Sequence, residues 1–127
     1  MRVAQPARPL RVLLVDLDPR VRAALRELIT AEPDLHVCGD AADAKQAIDR
    51  IGTDQPDVVL LDPMLPRASD GFDVLRILCT QRLPFVVLTT ATRLRDQAIR
   101  LGASAFLEKD DRSDLITEAL RAAGAHP

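Results

Sequence analysis

Short apolar runs alternate with stretches of helical periodicity along most of this 127-residue chain. The runs have strand length, and they predict strands over residues 12–15, 35–39, 58–61, 85–88 and 105–108. The first, third and fourth runs are unbroken and β-branched, which is typical of strands buried on both faces of a parallel sheet. The alternation therefore predicts an α/β fold of five βα units, a doubly wound five-stranded parallel sheet with helices on both faces.

Capping and helix-breaking residues mark several of the predicted helix boundaries. Asp18 and Pro19 are the residue types favoured at an N-cap and in a first helical turn. Pro33 predicts that this first helix ends before it. Gly52 and Gly102 predict the ends of the second and fourth helices.

Composition and charge are those of a soluble globular domain. Apolar residues make up 47% of the sequence and charged residues 28%, as is ordinary for such domains. With a net charge of −2, the chain has no basic field for nucleic acid, and no apolar run approaches membrane-spanning length. The isolated Cys38 and Cys79 predict buried, reduced thiols in a cytosolic protein.

The two ends of the chain differ from its centre. Residues 1–10 contain two prolines and no apolar stretch of the kind that signal peptides carry, so they predict a flexible N-terminal arm. Residues 11–123 form the predicted domain, without an internal repeat or a low-complexity segment. Residues 124–127 predict a tail or the start of a linker.

Reactive side chains stand at the ends of four predicted strands. Asp16, Asp62, Thr89 and Lys109 each follow or close an apolar run. Each of them alone has an ordinary explanation, such as a turn, a helix cap, a strand residue or a solvated lysine. The carboxyl ends of parallel strands, however, lie along one edge of the sheet, where ligands bind. We therefore expect these side chains to meet at one place.

That combination of groups suits the transfer of a phosphoryl group to a carboxylate. Asp62 is the candidate nucleophile, because a carboxylate can attack phosphorus. Lys109 can supply a fixed positive charge to the phosphoryl oxygens, and Thr89 a hydroxyl. A divalent cation such as Mg²⁺ prefers oxygen ligands, for which the candidates are Asp16, Asp62 and the Met64 carbonyl.

Several motifs in this order and at these separations resemble the receiver domain of two-component response regulators. The resemblance covers about residues 11–123. The motifs are Val-Leu-Leu-Val-Asp16, Pro-Asp-Val-Val-Leu-Leu-Asp62 with Pro66 and Gly71 downstream, Thr89-Thr90, Gly102-Ala103-Ser104-Ala105-Phe106, and Lys109. The resemblance implies a flavodoxin-like (βα)5 fold and a signalling domain instead of an enzyme. It also implies a cytoplasmic location and Mg²⁺ as cofactor.

The resemblance also implies a role for each site residue. Asp62 would accept the phosphoryl group from the phosphohistidine of a histidine kinase, and Asp16 would belong to the acidic metal pocket. Lys109 would bind the phosphoryl oxygens, and Thr89 would be the switch hydroxyl. Phe106 would be the switch aromatic, although a plain core phenylalanine explains the position equally well. An output domain and a second copy of the chain are further expected partners.

The sequence departs from the family at the metal pocket. Receivers usually carry two adjacent acidic residues after the first strand, and this chain has Asp16-Leu17. Leu17 cannot ligate a metal, so Mg²⁺ binding is expected to be weakened, with Asp18 as a candidate replacement ligand. The loop before the third helix, from Pro66 to Gly71, is expected to be one residue longer than usual.

The motifs leave the class of output domain and the use of phosphate open. Asp110 after Lys109 is like receivers with LuxR-like output domains, whereas the segment from Met64 to Pro66 is like those with winged-helix output. Leu17 favours an alternative within the family, an atypical receiver that acts as a phosphate-independent protein-interaction or ligand-sensing module.

A remoter alternative is a haloacid-dehalogenase-like phosphatase. The segment Asp16-Leu17-Asp18 matches the DxD start of that family. Against it, Asp62 would then have no role. A flavodoxin-like cofactor binder fits less well, because Asp16 and Asp18 would repel a phosphate.

Overall fold

The predicted α/β sheet is present in the computed structural model, which describes residues 8–125. Its five parallel strands are β1 (Leu10–Val15), β2 (Leu35–Ala41), β3 (Val58–Leu61), β4 (Phe85–Thr89) and β5 (Ala105–Glu108). Their order across the sheet is β2-β1-β3-β4-β5. The direction of winding therefore reverses between β1 and β3, and in open α/β sheets ligands bind at such a switch point.

Helices cover both faces of the sheet, as the sequence predicts. They are α1 (Pro19–Thr30), α2 (Ala44–Asp54), α3 (Ala68–Thr80), α4 (Arg95–Arg100) and α5 (Ser113–Gly124), with a 3₁₀ turn at Thr92–Leu94 before α4. Helices α1 and α5 pack on one face, and α2, α3 and α4 on the other. The side chains of successive strand residues alternate between the two cores: Val12 and Leu14 face α1 and α5, and Leu13 and Val15 face the opposite side.

The capping residues correctly predict where α1 begins. Helix α1 begins at Pro19, and the side chain of Asp18 accepts a hydrogen bond from the Arg20 backbone N–H. Helix α2, predicted to end near Gly52, continues to Asp54 and ends with Gln55 in the left-handed conformation, at a φ of 48°. Helix α4 ends at Arg100, two residues before Gly102, which turns the chain at a φ of 102°.

Gly71 lies inside a helix, although the sequence places it in the loop before the third helix. Helix α3 starts at Ala68, where Asp70 accepts a hydrogen bond from the Arg67 N–H. A Cβ atom at Gly71 would lie 1.8 Å from the carbonyl oxygen of Pro63. The glycine is therefore needed because the first turns of α3 press against the segment that follows β3.

The predicted ends of the domain and the burial of one cysteine also differ from the structure. Leu10, assigned to the N-terminal arm, is the first residue of β1, and Gly124, assigned to the tail, is the last residue of α5. Residues 1–7 of the arm and 126–127 of the tail lie outside the described part of the chain. Both cysteines are free, but Cys38 is half-buried and Cys79 is exposed, so the expected burial is wrong for Cys79. None of the helices within residues 8–125 has the length and apolar character to cross a membrane.

Candidate functional site

The carboxyl ends of β1 and β3 bring two aspartates side by side. The backbone N–H of Asp62 donates to the carbonyl of Val15 (3.0 Å), and that of Asp16 donates to the carbonyl of Ala41 (3.1 Å). Both carboxylates are largely withdrawn from water, with Asp16 3% and Asp62 7% exposed. Two adjacent buried carboxylates repel each other unless a cation lies between them.

Lys109 supplies that cation. Its Nζ lies 2.8 Å from Asp16 Oδ2 and 2.8 Å from Asp62 Oδ2, after a reach from the end of β5 across the end of β4. Burial opposes the charge on Lys109, but hydrogen bonds to the two carboxylates and their attraction outweigh it and raise the pKa of the ammonium group. The lysine therefore stays charged at neutral pH and holds the acidic pair together.

The second oxygen of each carboxylate is held by the backbone. Asp18 N–H donates to Asp16 Oδ1 (2.9 Å), and Met64 N–H donates to Asp62 Oδ1 (3.0 Å). Each bond spans two residues and forms a local turn that orients the side chain. A carboxylate oxygen has two lone pairs, so these contacts leave each aspartate with acceptor capacity for a cation. Both carboxylates are thus fixed in place but remain competent ligands.

The donor set fits a hard divalent cation but contains few ligands. The carboxylates of Asp16 and Asp62, with the Met64 carbonyl, are the oxygen ligands that Mg²⁺ accepts, and Mg²⁺ commonly keeps several waters beside one or two carboxylates. Leu17, 49% exposed beside them, adds no ligand. The residues expected to form the cation pocket are therefore chemically suitable for a divalent cation. They provide two carboxylates, because Leu17 stands where receivers usually carry a second adjacent acid.

Asp18, the candidate replacement ligand, is used elsewhere. Its Oδ1 accepts the backbone N–H of Arg20 (2.8 Å), and its carboxylate pairs with the Arg20 guanidinium at 3.4 Å. The hydrogen bond from the Arg20 backbone, followed by the one from its side chain, lowers the pKa of Asp18. The structure commits this side chain to the N-cap of α1.

Thr89 and Phe106 lie on the two strands beyond β3. Thr89 is fully buried at the end of β4, where its Oγ1 accepts the backbone N–H of Ala91 (3.1 Å). Phe106 is 8% exposed and packs in the same core cluster as Leu94 and Ala98. The guanidinium of Arg95 lies over the Phe106 ring, 5.7 Å from its centre, a contact that no sequence pattern indicates.

Comparison with known families identifies the domain that carries this site. The response regulator receiver domain model matches residues 12–121, nearly the whole of the described chain. The chain belongs to this family.

Two solved structures share its fold closely. The receiver domain of NarL from Mycobacterium tuberculosis has a TM-score of 0.85 at 26% identity, covering 95% of this chain and 100% of that one. The CheB response regulator domain from Thermotoga maritima has a TM-score of 0.83 at 26% identity, covering 94% and 99%.

Curated relatives match only through their receiver portions. A protein-glutamate methylesterase/protein-glutamine glutaminase from Saccharophagus degradans is 32% identical over 94% of this chain. The chain spans 38% of the length of that relative and 30% of a similarly named protein from Pyrococcus abyssi. The match therefore identifies a two-component signalling domain and carries no enzymatic activity to this chain.

A second acidic group of the receiver lies at the end of β5 and in the turn that follows it. Carboxylate oxygens of Glu108, Asp110 and Asp111 all lie within 4.8 Å of one another. One of them is already used, because Asp111 accepts the backbone N–H of Glu108 (2.8 Å) in the turn after β5. Among residues 8–125, only these three acids form a group of three that could share a metal ion. Asp16 and Asp62 have no third acidic side chain in such a group, so their pocket offers two carboxylates.

Proposed function

We propose that this receiver accepts a phosphoryl group on Asp62 from the phosphohistidine of a histidine kinase. The observation that carries the proposal is the ammonium of Lys109, 2.8 Å from the carboxylate of Asp62 and equally close to Asp16. The charge needed to receive phosphoryl oxygens thus stands beside a buried, oriented nucleophile. The proposal places the chain in the cytoplasm, where the family works, with an output domain or a second copy as the next partner.

The transfer needs only Asp62 and the phosphohistidine as reactants. A carboxylate oxygen of Asp62 attacks phosphorus while the bond from phosphorus to the histidine nitrogen breaks, and the electron pair of that bond leaves with the imidazole. The Lys109 ammonium, which pairs with the Asp62 carboxylate before the transfer, then pairs with the phosphoryl oxygens. Bound Mg²⁺ would add charge neutralisation at the same oxygens, held by Asp16, Asp62 and the Met64 carbonyl.

Metal binding is weakened in this proposal. The pocket has two carboxylates because Leu17 stands where receivers carry a second acid, and Asp18 caps α1. Affinity for a hard cation depends on the number of charged oxygen ligands. Phosphorylation should therefore require a higher Mg²⁺ concentration than in receivers with the full acidic pair.

Stoichiometric labelling tests the proposed reaction. With acetyl phosphate and Mg²⁺, the intact mass of the chain should rise by one phosphoryl group per molecule, without catalytic release of phosphate from a generic monoester. Multiple turnover on the monoester would instead support a phosphatase. The capped position of Asp18 argues against that rival, because its DxD chemistry needs the second aspartate as an acid and base near Asp16.

The alternative within the family is a receiver that works without phosphate. The exposed Leu17 is the observation that favours it, since an apolar side chain at the rim suits a protein or ligand contact better than a metal pocket. Beryllofluoride with Mg²⁺, a mimic of the phosphoryl group, separates the two functions. Binding supports the phosphate-driven receiver, whereas failure to bind at high Mg²⁺ supports the phosphate-independent module.

Output is expected to pass through Thr89 and Phe106. A phosphoryl group on Asp62 would draw the Thr89 hydroxyl away from the Ala91 N–H, and Phe106 would move towards the vacated space. This shifts an existing two-state equilibrium. Because the Arg95 guanidinium lies over the Phe106 ring, the movement would also free a cation on the face formed by α4, β5 and α5.

The measurement is the NMR environment of Phe106 and the self-association of the chain, with and without beryllofluoride. Wild type should change in both, while Thr89→Ala should bind the mimic and lose both responses. The face carries opposite charges that could pair between copies, on Arg93, Arg95 and Arg100 against Asp111, Asp114 and Glu118. Unchanged Phe106 signals after confirmed binding would contradict this route.

A further inference from the structure

Arg22 contacts the candidate site from outside it. The residue lies in the first turns of α1 and is half-buried. Its Nη1 donates to the carbonyl oxygen of Asp16 (2.6 Å) and, at 3.4 Å, to that of Leu17. A charged donor strengthens such a bond. The guanidinium therefore clamps the backbone where β1 leaves the sheet and turns into α1.

With this contact, every polar group of Asp16 is engaged. Its N–H donates to Ala41, its Oδ1 accepts from Asp18, its Oδ2 binds Lys109, and its carbonyl accepts from Arg22. Three of the four partners are backbone groups of other residues or the candidate site residue Lys109. The bond from Arg22 alone among them comes from a side chain that is neither a candidate ligand nor a candidate phosphoryl contact.

We propose that Arg22 is a positioning residue that keeps the Asp16 carboxylate against Lys109 and in the cation pocket. This inference rests on the proposed function for its consequence in phosphoryl transfer. Without the clamp, the Asp16 and Leu17 carbonyls are free to rotate towards water, and this rotation moves the Asp18 N–H that holds Oδ1 of the Asp16 carboxylate. A pocket with only two carboxylates is sensitive to such a change, because neither Leu17 nor Asp18 can replace a displaced Asp16.

The positive charge of Arg22 acts in the same direction. Asp16 and Asp62 carry two negative charges and Lys109 one positive charge, which leaves the acidic pair with an excess of negative charge. A guanidinium at the adjacent carbonyls reduces this excess without occupying the space of a metal or a phosphoryl group. Arg22 thus supports the paired arrangement both by geometry and by charge.

Three variants test the proposal. Arg22→Gln removes the positive charge and the planar guanidinium with its N–H donors. Arg22→Lys keeps the positive charge and an N–H donor. Arg26→Gln is the matched control, because Arg26 lies on the same helix and its guanidinium pairs with Asp40 at 2.9 Å instead of with a residue of the candidate site. For each protein, the measurements are the backbone amide signals of Asp16, Leu17 and Asp18 without metal, the Mg²⁺ affinity, the labelling rate at saturating Mg²⁺, and the melting temperature.

Arg22→Gln is expected to move those amide signals and to weaken Mg²⁺ binding and slow labelling by about 10-fold each, the usual cost of losing a group that orients a ligand. Arg22→Lys should recover most of both losses. Arg26→Gln should match wild type in affinity and rate, even if its melting temperature falls as far as that of Arg22→Gln.

The proposal is overturned if Arg22→Gln equals Arg26→Gln in amide signals, affinity and rate. Failure of the proposed function has a different signature, because wild type would then take no phosphoryl group. In that case the amide signals and the Mg²⁺ affinity still decide the role of Arg22. Losses that follow the melting temperature in all three variants would reduce Arg22 to a general stabilising residue and also reject the proposal.

Discussion

Replacing Asp62 by Asn is expected to abolish labelling of the chain by acetyl phosphate in the presence of Mg²⁺. The amide has nearly the shape of the carboxylate and can still accept the Met64 N–H, so the fold should persist. It lacks the anionic oxygen that attacks phosphorus. Intact mass gives the extent of labelling, and peptide mapping gives its position.

Asp16→Asn is the matched control for this experiment. Asp16 is also buried and makes the same 2.8 Å contact with Lys109, so any general effect of removing one carboxylate from the pair appears in both variants. The control should be labelled slowly, because it loses a cation ligand, and its label should still be on Asp62. Labelling that survives Asp62→Asn unchanged, or that maps to another residue in wild type, would contradict the assignment.

The fold follows from signals that are local and strong. The buried strands could be predicted because both faces of β1, β3 and β4 are covered by helices, which requires unbroken apolar sequence such as residues 12–15. The start of α1 could be predicted because Asp18 and Pro19 act through their own backbone. Strand order and parallel direction then bring Asp16, Asp62 and Lys109 to one edge, as the sequence predicts.

Features set by contacts between distant segments could not be predicted in the same way. Gly71 has the composition of a loop residue, and its place in α3 depends on the approach of Pro63, which the sequence does not display. Cys79 lies next to buried Leu78 in α3, so one step around the helix decides its exposure. A residue type alone does not specify which side of a helix end faces solvent.

The same distinction applies within the site. Asp18 has two competing roles, as a helix cap and as a metal ligand, and only the observed rotamer separates them. Arg22 and Arg95 act through long side chains whose targets, the Asp16 carbonyl and the Phe106 ring, come from other elements. Sequence spacing therefore predicts the carboxylates and the lysine at the strand ends, and misses the arginines that hold the surrounding backbone and ring.

Leu17→Asp is expected to tighten Mg²⁺ binding at least about 10-fold, which corresponds to about 1.4 kcal/mol. The substitution adds a charged oxygen ligand to a pocket that has two, and it removes an apolar side chain that is 49% exposed at the rim. Titration of Mg²⁺, or of Mn²⁺ as a spectroscopic probe, gives the affinity. Labelling by acetyl phosphate should then reach half its maximal rate at a lower Mg²⁺ concentration.

Two controls separate the new ligand from other effects of changing this loop. Leu17→Ala removes the apolar side chain without adding an oxygen, and should leave the affinity close to that of wild type. Asp18→Asn keeps a residue that caps helices well but removes the charge, so it should also leave the affinity unchanged if Asp18 only caps α1. Equal affinities for wild type and Leu17→Asp, together with a loss in Asp18→Asn, would mean that Asp18 leaves Arg20 and ligates the metal. Asp18 would then complete the metal pocket through a different conformation of the backbone after β1, and the hypothesis of a weakened Mg²⁺ site would be rejected.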